Sequence, residues 1–132
     1  MVFLDTCPVI YLIEQPPVWG AKTTARITAL LAAGERLALS DLVRMECQVG
    51  PLKSGDSLVL TQFARFFGSP DVQVLGVTAA VCDRAAAIRA TLGYKPLDSL
   101  HLAAAVEHGC ASFLTNDARL RGYPDVRVEV LF

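Results

Sequence analysis

The chain has 132 residues, a formal net charge of −1 and a hydrophobic content of 53%. This length fits a single domain over residues 1–132, and the apolar share is sufficient for a substantial core. No apolar run reaches the roughly 18 residues that span a bilayer, and no basic and apolar leader opens the chain. We therefore expect a cytoplasmic protein with no membrane association. The near-zero charge alone gives no indication of nucleic-acid binding.

Strand and helix patterns alternate along the first half of the chain. A strand is predicted at residues 1–4 and is closed by Asp5, and a helix then begins with Thr6 as its N-cap. Two prolines, Pro16 and Pro17, end this helix. The next predicted elements are a helix at 21–33, a strand at 36–39, and a helix that starts at Ser40 or Asp41, carries Glu46 and breaks at Pro51.

The same alternation continues in the second half. Helices are predicted at 57–67, 78–92 and 98–108, and strands at 72–77, 111–115 and 126–132. Repeated β-α units with continuously apolar strands indicate a parallel sheet that is covered on both faces. The predicted fold class is therefore α/β, a three-layer α/β/α domain with a central parallel sheet of about five strands.

Four acidic residues stand where this chain turns from strand into helix or lie early in the helix that follows. They are Asp5, Glu46, Asp98 and Asp117. Ligands of open parallel sheets bind outside the carboxyl ends of the strands, so these acids are predicted to share one pocket. Carboxylates held close together repel one another, and a divalent cation relieves that repulsion. Carboxylate oxygens without His or Cys partners favour a hard cation, which predicts Mg²⁺ or Mn²⁺.

Each acid also has an ordinary structural explanation. Asp5 fits a turn residue, Asp98 and Asp117 fit helix N-caps, and Glu46 fits a solvated helix position. Capping does not explain the whole set, because Asp98 begins a largely apolar helix face with His101 and Leu102 three and four residues later. His101 itself is interpreted as a packed, hydrogen-bonded core residue in preference to a general base.

Basic residues near the four acids are candidates for phosphate contacts. Neutralising the four acids changes the formal charge of the chain from −1 to +3, a mild bias toward polyanions. The candidate RNA contacts are Arg44, Lys95, Arg119 and Arg121. The four cysteines, in contrast, have neither C-x-x-C nor zinc spacing and are predicted to be small buried side chains: Cys7, Cys47, Cys82 and Cys110.

Three segments together resemble a known family. MVFLDTCPVIYLIE resembles the opening of a PIN-domain ribonuclease, LSDLVRMECQVG its second segment, and PLDSLHLAAAVEHGCASFLTNDARL its most recognisable stretch. Their order and spacing match across nearly the whole chain, and the length is that of VapC-type toxins of toxin–antitoxin pairs. The resemblance implies a five-stranded parallel sheet in which the first and fourth strands are neighbours.

The resemblance also implies roles for residues and partners. Asp5, Asp98 and Asp117 would hold the principal metal ion, Glu46 a second ion or its water shell, and Thr6, Thr115 and Asn116 would orient these groups. The implied activity is metal-dependent hydrolysis of RNA phosphodiester bonds by water. The implied partners are an RNA substrate and a cognate antitoxin that places an Arg or Lys among the acids. The apolar surplus favours a homodimer.

Three other functions fit parts of the pattern. A phosphatase with an aspartate nucleophile fits poorly, because Cys7 occupies the position where that scheme needs a second acid. Cys7 is not expected to be a nucleophile itself, because the sequence offers no general base for it at a recognisable spacing. A non-catalytic PIN-like module that binds a basic peptide is a stronger rival, which metal dependence on generic RNA would distinguish. A PIN nuclease in RNA maturation is the third, and a neighbouring gene for a small DNA-binding protein would separate it from a toxin.

Overall fold

The structure is a computed structural model that describes residues 1–131, and in these residues five parallel strands form one sheet. The strands are β1 (Val2–Leu4), β2 (Leu37–Ser40), β3 (Val72–Leu75), β4 (Ser112–Thr115) and β5 (Arg127–Val130). Their order in the sheet is β3-β2-β1-β4-β5. The parallel sheet, its five strands and the pairing of the first strand with the fourth are confirmed.

Among the described residues, six α-helices connect these strands. They are α1 (Thr6–Glu14), α2 (Trp19–Ala32), α3 (Asp41–Ser54), α4 (Ser57–Phe67), α5 (Ala79–Leu92) and α6 (Pro96–Glu107), and a short 3-10 helix, Ala118–Leu120, joins β4 to β5. Parallel crossovers are right-handed, so the two that step from β1 to β3 place α1 to α4 on one face. The return crossover to β4 places α5 and α6 on the other face, which gives the predicted α/β/α layers.

The core lies between the sheet and these helices. Phe3 of β1 and Phe113 of β4 are fully buried, and their rings stack at 5.3 Å. On the second face, α6 buries three consecutive alanines, Ala103 to Ala105, whose small side chains permit close approach of the helix to the sheet. No helix within residues 1–131 is long and apolar enough to cross a membrane.

Several helix boundaries differ from their predicted positions. Asp5, and not Thr6, is the N-cap of α1, since its carboxylate accepts a hydrogen bond from the Thr6 amide. Helix α3 continues through Pro51 to Ser54; the proline costs one helical hydrogen bond, but its ring is buried. Helix α6 begins two residues before Asp98, because Pro96 is well suited to the first helical turn.

The strands at the sheet edges are shorter than predicted. Strand β3 ends at Leu75, ahead of Gly76 and Val77, and β5 covers only Arg127–Val130 of the predicted 126–132. Position 132 lies outside the described residues. These edge strands have a partner on one side only, so their ends are the least constrained part of the ladder.

Candidate metal centre at the carboxyl edge of the sheet

The candidate centre lies where the direction of strand succession reverses. From β1 the chain proceeds toward β2, and from β4 it proceeds toward β5, so the connections that leave these two neighbouring strands run in opposite directions. Such a switch point leaves a crevice in open parallel sheets. Asp5 directly follows β1, and Asp117 comes two residues after β4.

Asp5 and Asp117 are tied to the same threonine. The Thr115 hydroxyl donates to Asp5 Oδ2 at 2.7 Å and accepts from the Asp117 amide at 3.0 Å. Asp5 Oδ1 accepts from the Thr6 amide at 2.8 Å. Thr115 is fully buried and Asp5 nearly so. Hydrogen bonds from Thr6 and Thr115 thus occupy both oxygens of Asp5, and the orienting role of these two residues stays a prediction.

Glu46 reaches the same edge from α3. One of its oxygens, Oε1, accepts from the Thr6 hydroxyl at 2.6 Å and contacts His101 Nε2 at 2.8 Å. The hydrogen bond from His101, followed by that from Thr6, lowers the pKa of the Glu46 carboxyl against the opposing effect of burial. Glu46 is therefore ionised at neutral pH and acts only as an acceptor, so His101 Nε2–H is the donor.

The carboxylate of Asp98 lies close to other negative charges at this edge of the sheet. Burial, followed by the charges of Asp5 and Asp117, raises the pKa of the Asp98 carboxyl. No hydrogen bond to this carboxylate is found within residues 1–131, and its nearest cation, Arg119, lies 3.9 Å away. The charges of Asp5 and Asp117 thus both oppose ionisation of Asp98, and a bound cation would relieve this repulsion.

Asp117 is engaged by Arg119, which follows it by two residues. The Arg119 guanidinium contacts both carboxylate oxygens, at 2.5 Å for the closest pair, and the Arg119 amide donates to Oδ1 at 2.9 Å. This interaction lowers the pKa of the Asp117 carboxyl. The predicted capping role of Asp117 is thus present as well, since it caps the 3-10 helix.

Within residues 1–131, no three His, Cys, Asp or Glu side chains are already arranged as a metal-binding group. The donor chemistry nevertheless fits Mg²⁺ or Mn²⁺, because the converging groups are carboxylates and the pKa of Asp98 is raised by burial and then by the charges of its acidic neighbours. The Arg119 guanidinium contacts both oxygens of Asp117, so a cation bound by Asp117 would compete with Arg119 for at least one of them.

A cleft of about 460 Å³ opens beside these acids. Its lining includes Glu46, Asp98, Lys95 and Arg119, so two of the four predicted RNA contacts lie at the candidate centre. Arg44 lines a different cleft, where it pairs with Asp41 and lies over the Phe67 ring at 4.7 Å. Arg121 is exposed just beyond the 3-10 helix.

Asn116 and Cys7 lie at the rim of the site. Asn116 donates to the Tyr11 hydroxyl at 2.8 Å and hydrogen-bonds Cys7, whose pKa is raised by burial and by the charges of Asp5 and Glu46. A raised thiol pKa is the opposite of what a nucleophilic cysteine requires. Cys47 and Cys110 are buried as predicted, but Cys7 is only partly buried and Cys82 is exposed on α5, so the prediction was wrong for these two.

His101 has a larger part in the site than the sequence indicated. It is 1% exposed and hydrogen-bonded, as predicted for a core histidine. Its partner, however, is the acid Glu46, and its Nε2 lies 4.0 Å from Asp5 Oδ1. The available signal was its place three residues after Asp98, which puts both side chains on one side of α6.

The comparison with protein families matches residues 2–126 to the PIN domain. The chain belongs to the PIN domain family. The family resemblance read from its three segments is therefore confirmed. A search of curated protein sequences gave no match.

This PIN domain also has similar solved structures. VapBC2 from Rickettsia felis, bound to a DNA fragment from its promoter, has a TM-score of 0.79 at 21% identity over 100% of both chains. A toxin–antitoxin complex from Klebsiella pneumoniae has a TM-score of 0.73 at 23% identity, covering 96% of this chain and 95% of that chain. Mycobacterium tuberculosis VapC20, a toxin that cleaves the sarcin–ricin loop, has a TM-score of 0.69 at 17% identity, covering 86% of this chain and 87% of that chain. At these identities the similarity establishes the fold.

Proposed function

We propose that this PIN domain is a metal-dependent endoribonuclease. The observation that carries the proposal is the convergence of Asp5, Asp98 and Asp117 on the β1–β4 crevice, where burial, followed by the charges of Asp5 and Asp117, raises the pKa of the Asp98 carboxyl. PIN domains are nucleases that typically use divalent metal ions, and this crevice offers the oxygen ligands that Mg²⁺ and Mn²⁺ require. Asp5, Asp98 and Asp117 would hold the ion, with Glu46 on a second ion or on the surrounding water.

The chain supplies positioning and charge for RNA hydrolysis. A bound divalent ion would supply positive charge at the scissile phosphate and activate water. Thr6 and Thr115 hold the Asp5 carboxylate in one orientation, which keeps the ligand geometry fixed during the reaction. Lys95 and Arg119 line the cleft beside Asp98 and would bind backbone phosphates of the substrate. The RNA phosphates would then replace the Asp117 carboxylate as hydrogen-bond partners of the Arg119 guanidinium.

A covalently closed RNA circle tests the endonucleolytic part of this proposal. Wild-type protein with Mn²⁺ is expected to convert the circle into a linear product, because only an internal cut opens a circle. Asp117→Asn, purified in the same way, serves as the control for contaminating nuclease, since it weakens one proposed ligand. Intact circles with the wild type, together with shortening of linear RNA, would contradict the endonuclease assignment.

We further propose that the protein is the toxin of a toxin–antitoxin pair. Support comes from the shared fold with a toxin from Mycobacterium tuberculosis and with chains from toxin–antitoxin complexes. The ion pair of the exposed Arg119 with Asp117, at 3.9 Å from Asp98, is a further support, because a guanidinium already lies beside these acids. An antitoxin side chain of the same chemistry would compete for the same oxygens and exclude metal and RNA. The predicted homodimer remains a prediction of the sequence.

Co-expression with the protein encoded by the adjacent gene tests the antitoxin proposal. Formation of the complex is expected to suppress RNA cleavage. Asp98→Asn is expected to weaken binding of the antitoxin, because one acceptor of the hydrogen bonds from its basic side chain loses its charge. Asp71→Asn is the matched control, because Asp71 is exposed at the amino end of β3, on the opposite edge of the sheet. A stable complex that leaves cleavage unchanged would exclude this mode of inhibition.

A further inference from the structure

One buried histidine joins helices from both faces of the sheet. His101 of α6 contacts Glu46 of α3, and the same Glu46 oxygen accepts the hydroxyl of Thr6 at the start of α1. Helix α6 lies on one face, and α1 and α3 lie on the other. The three side chains therefore meet over the carboxyl edge of the sheet, directly beside Asp5, whose Oδ1 is 4.0 Å from His101 Nε2.

The histidine ring is fixed in place by its surroundings. Its side chain is 1% exposed and its centroid lies 5.9 Å from that of the Phe3 ring. Nδ1 is buried and has no hydrogen-bond partner within residues 1–131, so Nε2 provides the ring's polar contact. Because apolar packing holds the imidazole ring of His101, the ring does not move with the Glu46 side chain. The position of Nε2 therefore determines where Oε1 of Glu46 lies.

The two donors converge on only one oxygen of Glu46. Both bonds end at Oε1, at 2.6 Å from Thr6 and 2.8 Å from His101, and no hydrogen bond to Oε2 is found in the described part of the chain. Glu46 is 28% exposed at its side chain and lines the cleft that also contains Asp98. Its second oxygen is thus left for a ligand in that cleft.

We infer that His101 is a positioning residue that, with Thr6, holds Oε1 of Glu46 and keeps Oε2 available to a cation or its water. The inference rests on the proposed metal-dependent nuclease function. It assigns no proton transfer to His101, because the residue is buried and its donor faces Glu46. Outer-shell histidine–carboxylate contacts of this kind orient the carboxylate and contribute to metal affinity.

Substitutions at His101 separate positioning from packing. The Gln amide nitrogen can stand where Nε2 stands, whereas the shorter Asn side chain does not reach that point and Leu has no donor. We expect His101→Leu and His101→Asn to weaken Mn²⁺ binding and to lower kcat, each roughly 10- to 100-fold. We expect KM for RNA to change little, since buried His101 does not contact the substrate. His101→Gln should restore most of both losses.

Mn²⁺ affinity is measured by electron paramagnetic resonance of the free ion, beside cleavage kinetics and thermal melts of the metal-free variants. Ile88→Ala, a buried position on α5, controls for a general loss of stability and should bind Mn²⁺ as the wild type does. If His101→Leu does not fold, the Gln and Asn variants decide the question by themselves. Equal Mn²⁺ affinity of these two variants, or wild-type affinity in His101→Leu, would overturn the inference.

Glu46→Gln makes the two levels of the proposal distinguishable. If Glu46→Gln loses cleavage and Mn²⁺ affinity while His101→Leu retains both, the nuclease proposal stands and only the role of His101 fails. If Glu46→Gln and Asp98→Asn both retain wild-type cleavage, the proposed centre itself is wrong.

Discussion

Removal of divalent metal ions is expected to abolish RNA cleavage, and addition of Mn²⁺ or Mg²⁺ in excess of the chelator should restore it. The converging groups are hard carboxylate oxygens, and the thiol next to them, Cys7, has a raised pKa that suppresses the thiolate. The residues at the site therefore offer no activated nucleophile that would act without metal. Cleavage of a labelled RNA in excess EDTA, followed by metal addition, measures this dependence.

The same assay needs a control for trace nuclease. Asp98→Asn protein, prepared identically, should cleave about 10²- to 10³-fold more slowly than the wild type with metal and should show no cleavage in EDTA. Cleavage by the wild type that persists in EDTA, when the Asp98→Asn preparation is inactive, would show that the site works without metal and would contradict the proposed chemistry.

Asp98→Asn is expected to lower cleavage by about 10²- to 10³-fold, the usual loss when one preorganised electrostatic group is removed. The metal-free variant should melt at the same or a higher temperature than the wild type. Burial and the charges of Asp5 and Asp117 raise the pKa of Asp98, so its ionised form destabilises the native state. That cost is absent at pH values below the usual aspartate pKa, develops as pH rises from that value to the raised pKa, and is complete above the raised pKa. The substitution removes it at neutral pH.

Asp117→Asn is the matched comparison at the same centre. Its carboxyl pKa is lowered by Arg119, so its ionised form stabilises the protein above the usual aspartate pKa, and that contribution is lost as pH falls through the lowered pKa. We expect a melting temperature equal to or slightly below wild type, because the exposed Arg119 makes a solvent-screened pair. Thermal melts of both variants, with and without Mn²⁺, check these opposite signs. Activity that follows the folded fraction in both would contradict a catalytic role.

The placement of the acids could be predicted because it depends on chain connectivity. In a parallel sheet every strand ends at the same edge, so an acid that follows β1 and another that follows β4 must come close once those strands are neighbours. The partners of each carboxylate could not be predicted in the same way. Asp117 binds the side chain of Arg119, and Asp5 caps α1. Short-range sequence patterns are compatible with these contacts but also with others.

The hydrogen bond between His101 and Glu46 could not be predicted from the sequence. These residues are 55 positions apart, and their contact depends on how far α3 and α6 extend over the sheet edge. Spacing on a single helix indicated only that His101 shares a side with Asp98. The exposure of Cys82 was missed for a related reason, since the alanine-rich helix α5 shows little contrast between its faces.

Anomalous diffraction at the manganese absorption edge, measured on crystals soaked in Mn²⁺, tests whether the carboxylates bind a metal ion. We expect an anomalous peak beside carboxylate oxygens of Asp5, Asp98 and Asp117, with Arg119 withdrawn from at least one Asp117 oxygen. We also expect the peak to be lost or strongly reduced in Asp98→Asn crystals under the same soak. A crevice without a peak at Mn²⁺ concentrations that support RNA cleavage, with Arg119 still on both Asp117 oxygens, would contradict the proposed metal centre.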